Sequence, residues 1–562
     1  MGQSTQALIR RQIDEARASL RRGRETLHRK GPGKVLFWAV ALALGLVSGA
    51  AAVGFRNGIL WLQGLLYRTP DVNHIHSHAG TLPWWMLLGI PICGGLAVGL
   101  ILDRFTPDGR VRLVADVIEG AALHNGRVEK RAGIASALAS LITLSSGGSS
   151  GREGPVVHLA AVLASWVSDR MQADPIAGRT LLGCAVAAAV SASFNAPIAG
   201  TLFALEVVLR HYAVSAFAPI AIASVAGTVV SRLAFGDVQE FALAPQTMLS
   251  FYVELPAFVL LGLLCGLVAV ALMRALFLGD DWASHMQERL QMRRWQRPVV
   301  AGALLGLLAL VFPHVIGVGV ETTAAALRAE LGLRQAVLLA VVKVIAVVIT
   351  MAGRMGGGVF SPALMVGALT GLAFGHVATD LVPSYSGTGE LYALAGFGAV
   401  AAAVLGAPIS TTLIVFELTG DWKTGLAVLV AVALSTALAS RLVHRSYFLT
   451  QLENRGVRLA AGPQAYLLTK YSAAIIMRAK DGPRAAPEDR CLEMMAEGVM
   501  LAPEATLEVA LPLFERDGHG FIPVVGRDET GQQTDLLGAL FYVDALRAYS
   551  RALAETAAEE HG

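Results

Sequence analysis

Between Val35 and about Val443 the chain is a succession of apolar segments, and none of them alternates apolar with polar residues. The clearest runs are 35–66, 84–102, 132–144, 155–168, 179–190, 197–209, 215–233, 251–278, 298–317, 335–352, 361–379, 391–404, 407–417 and 425–440. A helix needs about 20 apolar residues to cross a bilayer. The strands of a membrane barrel would show about ten residues of alternating character. The runs therefore predict an all-α membrane protein. Several are too short to cross, which predicts tilted, re-entrant or paired half-helices buried against their neighbours. Mean hydropathy is +0.57, with 54% hydrophobic and 15% charged residues, as a lipid-embedded middle requires.

Charge falls in blocks outside that middle. Residues 1–34 form a basic, polar segment with Arg10, Arg11, Arg17, Arg21, Arg22, Arg24, Arg29, Lys30 and Lys34. It is too long and polar before its first apolar run for a cleaved signal peptide. An excess of Lys and Arg marks the cytoplasmic side, so both termini are expected in the cytoplasm of a plasma (inner) membrane. The net charge of +3, with no basic stripe carrying interleaved aromatics, argues against a nucleic-acid partner. Cys93, Cys184, Cys265 and Cys491 lie far apart with no metal-ligand spacing, and three of them sit in apolar runs as core thiols.

One break in the apolar middle carries charge: Gly151-Arg152-Glu153-Gly154-Pro155. It follows the glycine- and serine-rich stretch 145–150 and leads into another apolar run. Ionisable groups at membrane depth are costly and mark ion pathways. A flexible break before a helix start exposes N–H groups and a positive dipole end, both of which attract anions. An anion pathway is the prediction.

The chain also repeats itself. Residues 196–206, Ala-Pro-Ile-Ala-Gly-Thr-Leu-Phe-Ala-Leu-Glu, recur at 407–417 as Ala-Pro-Ile-Ser-Thr-Thr-Leu-Ile-Val-Phe-Glu. Upstream, Ala-Val-Ala-Ala-Ala-Val occurs at 185–190 and again at 399–404. The order suggests a duplicated half. The charged break then has a partner in Met355-Gly356-Gly357-Gly358-Val359-Phe360-Ser361-Pro362. Broken helices at corresponding places in two halves are the best sequence pointer to a midplane site.

Gly-Arg-Glu-Gly-Pro at 151–155, Phe194-Asn195-Ala196-Pro197, Gly358-Val359-Phe360-Ser361-Pro362 and Ser446-Tyr447 stand in the order seen in one family. Over roughly residues 35–455 the chain resembles the CLC family of chloride channels and chloride/proton antiporters. That resemblance implies two inverted-topology halves per subunit and a homodimer with a pore in each subunit. It also implies transport of chloride or a related small anion through the lipid bilayer, with no cofactor. Glu153 matches the gating glutamate, flanked by Arg152 and Gly154 as anion-path residues. The N–H groups of Val359 and Phe360 match those that coordinate the central anion, with Gly358 allowing close approach and Pro362 suiting a first helical turn. Tyr447 matches the tyrosine whose hydroxyl reaches the same ion; outside the family it would read as an interfacial aromatic. The alternative for the charged pair, a buried Arg152–Glu153 ion pair, leaves the glycine break unexplained.

Two departures from the family bear on selectivity and mechanism. The family's Gly-Ser-Gly-Ile-Pro supplies a serine hydroxyl to the central anion, whereas residues 111–120 here read Val-Arg-Leu-Val-Ala-Asp-Val-Ile-Glu-Gly. One alignment puts Arg112 at the serine and a one-residue slip puts Leu113 there. The third option is a displaced helix start with Arg112 facing cytoplasmic water. After the asparagine-proline motif many antiporters of the family carry two glutamates, the second relaying protons. Here the pair is Glu206-Val207, and Glu206 points about 100° away from the relay position. A passive anion channel gated by Glu153 is therefore expected; the alternative is a chloride/proton antiporter with a non-standard internal proton route.

Residues 456–562 regain charge and read as a separate cytoplasmic α+β piece. A helical pattern at 505–514 precedes strand-like 521–525 and 536–541 and a helix through Tyr549. That order resembles one CBS motif at about 499–552, with 457–498 as a degenerate partner. The resemblance implies an adenine nucleotide, but no phosphate-cradling glycine loop is present. The alternative is a structural, dimer-bracing tail. The chain has no Gly-x-x-x-x-Gly-Lys-Ser/Thr and no His-Glu-x-x-His, which argues against a pump or a membrane enzyme.

Overall fold

The computed structural model describes residues 32–561 apart from 70, 72–73, 213, 237–253, 384–385, 458, 460–467, 469–470, 483 and 528–532. Nearly all of the basic N-terminal segment, residues 1–31, lies outside the described residues. The helices of the first half are α1 (Pro32–Tyr67), α2 (Ile75–Ala79), α3 (Trp84–Phe105), α4 (Val114–Leu123), α5 (Lys130–Ser145), α6 (Glu153–Met171), α7 (Pro175–Phe194), α8 (Pro197–Phe203) and α9 (Val214–Phe235). A π-helical turn, Ala204–Leu209, extends α8. The second half comprises α10 (Leu255–Arg289), α11 (Gln296–Val311), α12 (Val320–Leu327), α13 (Leu333–Ala352), α14 (Phe360–Leu381), α15 (Gly389–Leu405), α16 (Pro408–Thr419), α17 (Trp422–Leu442) and α18 (Tyr447–Glu453).

Among the described residues eight helices are long and apolar enough to cross a membrane, and the protein is a multi-pass integral membrane protein of two inverted-topology halves. Among the described residues Pro197–Leu209, Gln296–Val311, Gly389–Leu405 and Pro408–Thr419 are shorter apolar helices, whereas the short run at 179–190 sits in the 20-residue α7 and that at 155–168 in the 19-residue α6. Helices that start with proline begin where the missing N–H costs nothing, as at Pro175, Pro197 and Pro408. The elements not marked by an apolar run, α2, α4, α12 and α18, have no more than ten residues each, too few to give a lipid-facing signature.

The two alanine runs explain themselves in the packing. Ala185–Val190 lies on α7 and Ala399–Val404 on α15, the most completely buried helices of their halves. Helix α7 is wrapped by α1, α6 and α9, and α15 by α10, α14 and α17. Small side chains let helix backbones meet where no hydrophobic force draws them together. At the α14–α15 crossing a Cβ on Gly367 would stand 2.2 Å from the Gly396 carbonyl oxygen, so that contact admits no side chain.

The repeated glutamates close the two halves on each other. The Glu206 carboxylate accepts hydrogen bonds from the N–H groups of Ile409 (2.9 Å) and Ser410 (2.8 Å) and from the Ser410 hydroxyl (2.7 Å) at the start of α16. Reciprocally, Glu417 accepts from Ile198 (3.0 Å) and Ala199 (2.7 Å) at the start of α8. Each half caps a helix of the other, as an N-terminal carboxylate should. Replacing Glu206 by Ala is expected to lower the apparent melting temperature of the detergent-solubilised protein, by roughly the 1–2 kcal/mol of a lost N-cap. The pH dependence of anion flux should be unchanged; the reverse pattern would assign Glu206 to proton movement instead.

Beyond α18 lie α19 (Ala473–Ile476), β1 (Arg478–Ala479), α20 (Glu488–Ala496), α21 (Leu507–Asp517), β2 (Phe521–Arg527), β3 (Gln533–Phe541) and α22 (Tyr542–His561). The strands form an antiparallel sheet in the order β1-β3-β2. Leu507, Ala510 and Phe514 of α21 pack with Ala545 of α22 on Ile522, Val524 and Leu540 of one sheet face. On the other face Cys491 of α20 packs against Leu536 and Ala539. The described part of 457–498 adds strand β1 to the same sheet and, through α20, covers its second face. Helix α22 rests against α9.

Candidate functional site

The two broken helices meet head to head. Gly151 and Gly358 form an antiparallel bridge in which each N–H donates to the other's carbonyl at 2.7 Å. A Cβ on Gly154 would come within 3.2 Å of Gly358 Cα, so these two turns approach as only glycines allow. Serine and threonine side chains fasten the turns from behind. The Ser150 hydroxyl donates to the Gly356 carbonyl (3.0 Å), while the N–H groups of Gly356 and Ser149 donate to the Thr143 and Thr350 hydroxyls.

Four helices begin at the cavity these turns enclose. Its lining includes Leu113 and Val114 at the start of α4 and Glu153 and Gly154 at the start of α6. Gly358, Val359 and Phe360 come from the start of α14, and Tyr447 and Phe448 from the start of α18. The first N–H groups of a helix lack intrahelical acceptors and carry its positive dipole end. Four such ends around one apolar space put unpartnered backbone donors, not charged side chains, in reach of whatever enters it. The cavity is about 10 Å³, room for about one water-sized particle. It shares Leu113, Met351, Tyr447 and Gln451 with a wider vestibule of about 220 Å³ that Arg110, Asp280, Arg354 and Arg455 also line. The Tyr447 ring is held by stacking on Phe277, centroids 5.3 Å apart.

Glu153 closes this cavity. Its side chain is buried and accepts a hydrogen bond from the Ser361 hydroxyl at 2.6 Å. Arg152 Nε is 4.0 Å from the same oxygen, so the buried ion pair weighed from sequence is present as a long contact beside the shorter Ser361 hydrogen bond. Arg152 instead lines a separate space of about 80 Å³ with Arg56, Gln63 and Glu321, beyond the 151–153 turn. The six residues Glu153, Gly154, Gly358, Val359, Phe360 and Tyr447 therefore come together around one cavity, which Arg152 does not line.

Of Arg112 and Leu113, it is Leu113 that lines the cavity. Helix α4 starts at Val114 with Leu113 as its cap, and the Leu113 side chain is in the cavity wall. Arg112 turns away, bonding Asp108 at 2.8 Å and Glu129 at 3.3 Å. Burial works to raise the Asp108 carboxyl, but its hydrogen bond and proximity to Arg112 outweigh that and hold it below the ordinary range. The expectation that Arg112 faces cytoplasmic water is not what the structure has: its side chain is largely buried against Asp108 and Glu129. Asp116 pins this start, accepting from Leu113 N–H at 2.7 Å and pairing with Arg455 at 2.9 Å.

Val207 does not line the cavity. It is 5% exposed within the π-helical turn, packed among apolar neighbours, and Glu206 beside it is engaged at α16. The residues that sequence reasoning passed over are Ser361, named only as part of a motif, and His158. The His158 imidazole is fully buried, with Nδ1 3.3 Å from the Leu113 carbonyl. A histidine five residues after Glu153 on the same helix was the available signal.

Comparison with known proteins fits this geometry. The chain matches the voltage gated chloride channel family over residues 94–440. It is 30% identical over 415 residues to the voltage-gated ClC-type chloride channel ClcB of Escherichia coli, covering 72% of this chain and 96% of that protein. Among solved structures a slow cyanobacterial Cl⁻/H⁺ antiporter superposes with TM-score 0.65 at 20% identity, over 75% of this chain and 97% of that one. A eukaryotic CLC transporter gives TM-score 0.64 at 17% identity, over 91% and 98%. Head-to-head broken helices, a glutamate closing their cavity and this family match together make the chain a member of the CLC family of anion-transport proteins.

Proposed function

We propose that the protein passes chloride and related small anions passively, as a channel gated by Glu153. The observation that carries the reading is Val207: a buried valine, in apolar packing, stands where a proton-relaying acid would be needed. In the closed arrangement the Glu153 carboxylate occupies the space that the starts of α6 and α14 make attractive to an anion. When protonated or displaced it swings aside, and the anion is held by the N–H groups of Val359 and Phe360 and the hydroxyl of Tyr447. Gly154 and Gly358 let the backbones approach the ion. Arg152, with Arg56, draws anions to the opposite mouth.

The second reading, a chloride/proton antiporter with a non-standard internal proton route, has one observation in its favour. His158 puts a titratable ring behind the cavity lining, 3.3 Å from the Leu113 carbonyl. Chloride efflux from loaded proteoliposomes, with external pH recorded at the same time, separates the two readings. The protein acts as a homodimer in the plasma (inner) membrane with both termini cytoplasmic, and the CBS-like region braces it. Apolar residues exposed on α8, α9 and α16, among them Ile198, Phe217 and Ile409, supply dimer surface.

Selectivity follows from Leu113. With no hydroxyl there, a chloride stripped of water regains fewer hydrogen bonds, and weakly hydrated anions such as nitrate lose less on entering. Leu113→Ser is expected to raise the chloride/nitrate permeability ratio severalfold, about 1 kcal/mol for one added donor. Arg112→Ser, by contrast, should leave the ratio unchanged. Equal ratios in parent and Leu113→Ser protein would remove Leu113 from the pathway.

A further inference from the structure

Ser361 is the second residue of α14, and its hydroxyl is the donor at 2.6 Å to Glu153 Oε1. The two residues come from opposite halves of the chain, and both are buried. A donor to a carboxylate in a water-poor site makes one of the stronger hydrogen bonds available to a side chain. The α4 start, by contrast, offers the cavity only the hydrocarbon of Leu113. The aliphatic hydroxyl that reaches Glu153 thus comes from the second half of the chain.

We propose that Ser361 is the positioning residue of the gate: its hydroxyl holds the ionised Glu153 carboxylate over the pathway, then turns to the anion that takes the carboxylate's place. This rests on the reading of Glu153 as the gate. A hydroxyl has one proton to donate and rotates freely, so the carboxylate and the entering anion compete for it. Protonated Glu153 needs no donor and releases it. The charged neighbour facing Glu153 from its own turn is Arg152, Nε at 4.0 Å. Among the described residues lining the cavity from α4, α14 and α18, the other ionisable side chain is that of Tyr447.

The test is chloride flux from proteoliposomes as a function of pH. Removing the hydroxyl destabilises the ionised, closed form more than the protonated, open one. The pH of half-maximal flux in Ser361→Ala should therefore rise by about one to two units, the worth of one hydrogen bond to a charged group. Ser361→Thr keeps the hydroxyl and should restore the parent's midpoint. In a Glu153→Ala background Ser361→Ala should leave flux independent of pH but raise the half-saturating chloride concentration roughly tenfold. Should Ser361→Ala fail to elute as the parent does, Ser361→Cys, a weaker donor, should give a smaller rise in midpoint. An unmoved midpoint in the folded alanine or cysteine variant, or an equal shift in Ser361→Thr, overturns the proposal. If instead Glu153→Ala alone keeps the parent's pH dependence, it is the gate reading that has failed.

Discussion

Replacing Glu153 by Ala should leave chloride flux present and nearly flat between pH 4 and 8, whereas flux through the parent rises as pH falls. On the gate reading the carboxylate plugs the cavity of about 10 Å³ that four helix starts line. While ionised it accepts from the Ser361 hydroxyl beside those helix starts, and so would behave as a tethered anion in the ion's own site. Protonation removes its charge and with it most of that attraction. A single titrating plug changes flux by at most about tenfold per pH unit on one side of its midpoint, and the alanine protein has no such plug. The backbone donors and the Gly151–Gly358 bridge do not depend on the Glu153 side chain, so the pathway should survive the change. The measurement is efflux from chloride-loaded liposomes at a series of pH values. A mutant as pH-sensitive as the parent would assign the gate to another group.

A chloride gradient across the parent should drive no protons uphill. Coupled exchange needs an acid between the wide vestibule and Glu153. By the resemblance to the family's antiporters the matching position is Val207, enclosed here by apolar packing, while Glu206 is occupied at the start of α16. A valine cannot hold a proton, and an unscreened proton in such surroundings is costly. Leak can mask weak coupling, so Glu153→Ala serves as the uncoupled control. Steady uphill acidification by the parent, absent in that control, would establish an exchanger and make His158, buried against the Leu113 carbonyl, the first residue to replace. If the parent moves no protons, Val207→Glu asks whether one acid is sufficient. We expect that it is not, since an exchanger must also keep its two gates from opening together.

Much of this molecule follows from sequence alone because its signals are local and periodic. Apolar runs without alternation specify membrane helices, and the glycine breaks at 147–154 and 355–358 specify where two of them stop. The repeated Ala-Pro-Ile and terminal Glu specify a duplication, and the residues Glu153, Val359, Phe360 and Tyr447 stand in motifs short enough to read. The choice between Arg112 and Leu113 was not local. It depended on Asp116 capping α4 and on Asp108 and Glu129 drawing the arginine away, contacts that no alignment contains. Nor could sequence say that Glu206 and Glu417 cap each other's partner helix, or that Arg152 lines one cavity while Glu153 lines another. Ser361 reaches Glu153 across 208 residues. Helix starts are written in neighbouring residues, whereas the meeting of four starts around one cavity is decided by packing between halves, and only the folded chain brings Ser361 within hydrogen-bond distance of Glu153.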